Sequence, residues 1–84
     1  MPTYMTKSEL RIIEREITGT LTVTRDSQYN NLNAAIVIVE KNVTARLFGT
    51  ISKQLVIKKG ACVYLHGSIA GKIENEGGEF YPYK

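Results

Sequence analysis

Laid on itself with an offset of 18, the second half of the chain repeatedly meets its own pattern. Leu47 falls on Leu65, Gly49 on Gly67, Thr50 on Ser68, Ile51 on Ile69, Leu55 on Ile73 and Gly60 on Gly78, with Glu40-Lys41 near Lys58-Lys59. The stretch VTARLFGTISKQLVIKKG is thus followed by ACVYLHGSIAGKIENEGG, each with alternating apolar residues and glycines at corresponding corners. A repeat this short cannot bury an apolar face alone, so successive copies have to stack. The offset is even and strand side chains alternate with period 2, so each position keeps its inward or outward side from copy to copy. Odd positions then form the interior: Val37, Val39, Val43, Ala45, Leu47, Ile51, Leu55, Ile57, Ala61, Val63, Leu65, Ile69 and Ile73. Even positions carry Glu40, Arg46, Lys58, Tyr64, His66, Lys72, Glu74 and Glu76, which suit water. The pattern predicts an all-β chain: a short single-stranded β-solenoid (β-helix) of about 18-residue coils. Each coil bends into three short faces at Gly49, Gly60, Gly67, Gly71 and Gly77-Gly78.

Upstream, Ile17-Thr18-Gly19-Thr20-Leu21 matches Ile69-Ala70-Gly71-Lys72-Ile73, which starts an earlier coil near Ile17 and carries it to Val23. The offset from Ile17 to Ile51 is 34 where two regular coils need 36, so the polar stretch Arg25 to Asn33 is expected to hold an irregular corner. Thr6-Lys7-Ser8-Glu9 fits a capping box, and Leu10, Ile13 and Ile17 follow at helical spacing. This predicts a short helix from about Lys7 to Glu16, lying as a cap over the first coil or over an outer face. The competing expectation is a strand using Leu10 and Ile12. The 84 residues make one solenoid domain, with 1–16 as the capping segment and 17–83 as coils.

The predicted outer surface has two notable patches. Ile36, Ile38 and Val56 break the rule that even positions are polar, and Ile38 and Val56, one coil apart, should adjoin on one outer face. Arg46 stacks with Tyr64, and Phe48 with His66, to make a second, aromatic and basic face. At the C-terminus Phe80, Tyr81 and Tyr83 could cover the last coil or dock onto another copy, while Pro82 lacks the amide donor a further strand would need.

Chemistry is hard to place on this framework. Cys62 and His66 resemble a nucleophile and base, but four residues of extended strand span roughly 13 Å. Cys62 is better read as a half-exposed residue between Thr44 and Phe80, and His66 as a surface rung beside Phe48. Neither has metal-ligand companions at useful spacing, and Glu74, Glu76 and Glu79 near a glycine turn read as solubilising groups. The glycines belong to no phosphate loop, since Gly67-Ser68-Ile69-Ala70-Gly71 leads into another strand. No catalytic residue, metal or cofactor is expected, and the chain is read as a non-enzyme. A nucleic-acid surface would use Arg46, Lys53, Lys58, Lys59 and Lys72 with Tyr64 and Phe48. The interspersed acids and a formal charge of only +3, from 11 basic and 8 acidic residues, disfavour it. A single cysteine and no leader-like opening point to a reducing cytoplasm, and the longest apolar run, Ala34 to Val39, is strand-sized and excludes a membrane helix.

From about Val37 to Tyr81 the rhythm Gly-x-Ile-x-x-x-Leu-x-Ile-x-x-Gly resembles the bactofilins, bacterial polymer-forming proteins with a β-helix core. The resemblance implies a scaffold that needs no nucleotide and whose coils continue end to end between subunits. This chain has far fewer coils. Two roles follow as expectations. The first is a self-associating or scaffolding solenoid using its coil ends, among them Phe80, Tyr81 and Tyr83, and the Ile38/Val56 face. The second is a small inhibitor, such as an immunity or phage counter-defence protein, binding one partner protein through Arg46, Phe48, Tyr64 and His66. The expected partners are therefore a second copy of the chain, another protein, or both.

Overall fold

Alternating apolar residues need a packed partner on one side only, and parallel stacking of successive coils supplies it along most of the chain. A computed structural model describes residues 10–83, and within these seven strands follow one another: β1 (Arg11–Ile13), β2 (Ile17–Val23), β3 (Ser27–Val39), β4 (Thr44–Ile57), β5 (Cys62–Ile69), β6 (Lys72–Asn75) and β7 (Glu79–Tyr83). Every pairing between them is parallel. The result is a β-solenoid of about four turns with a coil spacing of about 18 residues.

The long strands bend from one face to the next, so each coil has three faces. The first face stacks β1, the start of β3, the start of β4, the start of β5, and β7. The second stacks Ile17–Gly19, Leu32–Ala34, Gly49–Ile51 and Gly67–Ile69, and the third stacks Thr20–Val23, Ile36–Val39, Gln54–Ile57 and β6. Inward columns such as Tyr29–Leu47–Leu65 and Val37–Leu55–Ile73 run along the axis. The core is Val23, Leu32, Ala34, Val37, Val39, Val43, Ala45, Leu47, Ile51, Leu55, Ile57, Ala61, Val63 and Leu65. Removing a branched aliphatic side chain of this kind from water is worth about 1.5–3 kcal/mol before chain entropy is set against it.

Corners repeat as the faces do. The Asn42 N–H donates to the Lys59 carbonyl and the Gly60 N–H to the Gly77 carbonyl, each at 3.2 Å, so one corner sits on the next. Asn42 there takes a left-handed φ of 58°, a conformation asparagine tolerates better than most side chains. Between the first and second faces the coils approach so closely that a Cβ on Gly67 would lie 1.9 Å from the Gly49 carbonyl oxygen.

The N-terminal expectation is corrected over the residues described. Arg11–Ile13 is a strand paired with Ser27–Tyr29 on the first face, so the segment continues the solenoid and does not cap it as a helix. Lys7, Ser8 and Glu9 lie outside the described residues. A strand wins because the first coil of a stack offers an unpaired edge, and one more rung satisfies its backbone groups.

The irregularity expected between Arg25 and Asn33 is present as a register shift between Tyr29 and Leu32, and a second shift lies further on, between Ala34 and Ile36. Both sit at bends of a strand that runs from Ser27 to Val39. Ser27 pairs with Ala45 at an offset of 18, but Leu32 pairs with Gly49 at 17, before Ile36 returns to 18 with Gln54. Gly19, Ala34, Ile51 and Ile69 therefore share a column, and Ile17 falls on Gly49 instead of Ile51. Of the expected interior, Ile69 is half-buried and Ile73 is 41 % exposed, because no further coil covers them among the described residues.

Candidate functional site

The outer side of the first face is the most distinctive surface. Stacked strands lie about 4.8 Å apart, which is also the distance at which aromatic rings stack, so like positions in successive coils build ladders. Phe48 and His66 lie 4.4 Å apart between ring centres at 7°, and His66 and Tyr83 follow at 4.7 Å and 10°. A second column sets Tyr64 on Tyr81 at 5.1 Å and 16°, with Tyr83 6.3 Å from Tyr64. Arg46 pairs beneath Tyr64. The sheet therefore presents two adjoining aromatic columns, with Tyr81 and Tyr83 as their exposed upper rungs.

Polar groups hold the ladder in place. The Tyr81 hydroxyl donates to the Glu79 carboxylate, and this bond pushes the phenol up from 10.0 to about 12. Hydrogen bonding to the Cys62 side chain is the largest cause of a raised Tyr64 phenol, with Coulombic repulsion from Cys62 and burial behind it. The His66 Nε2 is covered by its neighbours and finds no hydrogen-bond partner among the described residues.

The residues singled out in the sequence fare unevenly. Arg46, Phe48, Tyr64 and His66 are brought together on one face as expected. Tyr81 and Tyr83 join that same face, which the regular coil register did not foresee. The corner Glu76–Gly78 is one residue shorter than Lys58–Ala61, so Cys62 pairs with Glu79 at an offset of 17. Tyr81 then lands on Tyr64 and Tyr83 on His66, where an unbroken offset would place Pro82 and Lys84. The signal was present as Tyr64-x-His66 and Tyr81-x-Tyr83, one position short of a full coil apart. The same slip corrects one further expectation, since Cys62 lies between Thr44 and Glu79 and not Phe80. Phe80 turns inward over Val63 and packs against the core, which is the covering of the last coil expected of it.

Ile38 and Val56 do pair on the outer side of the third face, with Ile36 on the same strand. All three are half-buried. Thr22 and Glu74 close their column at either end, and Gln54 donates to Glu74 at 3.1 Å, so the apolar patch is two rungs tall. Tyr64 stands between Cys62 and His66 on their strand, and among the described residues no group of three or more His, Cys, Asp or Glu could hold a metal. The cations of a nucleic-acid reading are spread over different faces and corners. Arg46 is on the first face, Lys72 on the third, Lys53 and Lys59 near corners, and Lys58 lies 3.6 Å from Glu76. Phe48 and Tyr64 each already give a ring face to a neighbour. No described helix is long and apolar enough to cross a membrane.

Comparison with protein-family models, with curated proteins and with solved structures returned no match. The fold and face define the chain's class as a short parallel β-solenoid bearing an outer aromatic ladder.

Proposed function

We propose that this chain is a non-enzymatic scaffold that works in the cytoplasm by assembling with further copies of itself through the ends of its solenoid. One observation carries the reading: at both ends the core stops without cover among the described residues. Ile13, Ile17 and Leu21 are only partly buried at the first coil, as are Ile69 and Phe80 at the last, where Ile73 is 41 % exposed. Unpaired strand edges and apolar ends gain free energy when another rung covers them, and this is how a repeat stack grows. The likeness of its rhythm to polymer-forming β-helix proteins agrees with this role.

Sedimentation velocity over a concentration series tests the reading, with mass growing beyond the monomer as the expected result. A chain that stays monomeric at every concentration would reject it. A second reading, an inhibitor of one partner protein, is favoured by the aromatic ladder. Its Tyr64, His66, Tyr81 and Tyr83 rings are stacked in advance, which lowers the ordering cost of a contact made through them. Under that reading Tyr81→Ala and Tyr83→Ala abolish capture of the partner without changing the oligomeric state.

A further inference from the structure

We infer that the hollow at the first coil binds a small amphiphilic carboxylate, its head against Arg11, Arg15 and Arg25 and its apolar body over Ile13, Ile17 and Leu21. The inference goes beyond the scaffold reading and does not rest on it. Register puts Arg11 at an inward position, since it pairs with Ser27 and the same column continues as Ala45 and Val63. Those three residues are buried, so the first coil sets a guanidinium-bearing residue where later coils bury small or apolar ones. At the opposite end the column finishes on Phe80, which packs against the core. A purely apolar cover over the first coil would strand the Arg11 charge, whereas an anion with an apolar body meets both surfaces at once.

The groups around Arg11 carry the same sign. Arg11 donates its N–H to the Asp26 carbonyl at 3.1 Å, and the Ser27 hydroxyl donates to the Arg25 carbonyl at 2.8 Å, so β1 is tied to the corner that carries Arg25. Arg15, between β1 and β2, completes the set, and among the described residues no acid joins them in the lining. Glu16 and Asp26 are engaged elsewhere: Glu16 accepts from the Asn33 Nδ2 at 3.4 Å and Asp26 from the Thr44 N–H at 2.9 Å. All three arginines are exposed while Ile13, Ile17, Leu21 and Tyr29 are half-buried, so positive charge rims an apolar floor. Guanidinium groups take carboxylates through paired N–H donors, and a hollow of about 360 Å³ suits a molecule the size of octanoate.

An amide chemical-shift titration of the full chain with octanoate tests this. Saturable shifts centred on Ile13, Leu21 and Ser27 are expected, with a Kd of about 1 mM or tighter that weakens as salt is raised. Octanol and inorganic phosphate, each with half of the chemistry, should bind at least about tenfold more weakly. The double substitution Arg11→Glu, Arg15→Glu should weaken octanoate by a similar factor with its β-sheet circular dichroism retained, and Arg25→Gln gives the same reading if that pair fails to fold. Lys72→Glu, on the third face of the last coil, should leave binding as it is. Octanol binding as tightly as octanoate, unchanged affinity in the arginine variants, or shifts centred on another face would overturn the inference. So would a full chain that takes up no octanoate, as when residues 1–9 or a second copy fill the hollow, or one that only cosediments with phosphatidylglycerol vesicles.

Discussion

Neighbouring residues on β5 have opposite fates, and stability measurements should separate them. Leu65 is buried at 1 % exposure in the column of Leu47, so Leu65→Asp forces a charge into a dry core and should abolish the melting transition. His66, one residue on, is sandwiched between Phe48 and Tyr83 with its Nε2 unpaired among the described residues. His66→Phe keeps the stack and removes that nitrogen, and should stabilise the chain by about 1 kcal/mol in a denaturant titration. Tyr81 makes a prediction in pH. Its folded value, about 12, lies above the 10.0 of a free phenol, because Glu79 accepts from the protonated form. The contribution is thus complete below pH 10 and lost as pH rises through about 12. Tyrosinate absorbance should show one phenol titrating late, and Glu79→Gln should return it toward 10.0.

At the scale of the element, the bends matter more than the straight runs. β3 gains a residue at its first bend and loses one at its second, so its middle runs one residue out of phase with the flanking segments. That phase shift puts Leu32 and Ala34, at even positions, inside the core at 2 % exposure each. Leu32→Ala should therefore cost about 2–5 kcal/mol, whereas Asn33→Ala, beside it on the exposed side, should change stability by less than about 0.5 kcal/mol. The glycine column at the next bend is equally unforgiving. A methyl on Gly67 has no room against the Gly49 carbonyl, and Gly67→Ala should cost about 3 kcal/mol in the same titration.

In the whole molecule, each coil is held only by the coils on either side, so stability should fall from the middle outward. β4 has β3 on one side and β5 and β6 on the other, while β1 and β7 each have one partner among the described residues. Amide hydrogen exchange should accordingly be slowest in β4 and fastest in β1 and β7, and uniform protection across the described strands would contradict nearest-neighbour stacking. The outer ladder follows the same logic, since Phe48 and His66 lie on inner coils and Tyr81 and Tyr83 on the last rung.

The coil length, the inward columns from Val37 to Leu65 and the pairings Arg46 with Tyr64, Phe48 with His66 and Ile38 with Val56 were legible in the amino-acid order, because an even repeat preserves strand parity. Of the single-residue adjustments at bends, only the one between Tyr29 and Leu32 was foreshadowed, by the offset of 34 between Ile17 and Ile51. These adjustments turn Leu32 and Phe80 inward and bring Tyr81 and Tyr83 onto the ladder, and a corner accepts three or four residues with little change in local preference. Nor was the strand at Arg11–Ile13 evident, since its spacing suits a helix equally well. Local periodicity thus decided which residues repeat, and the requirement that every rung lie flat on its neighbour, with its backbone groups paired, decided where the register slips and which side chains meet.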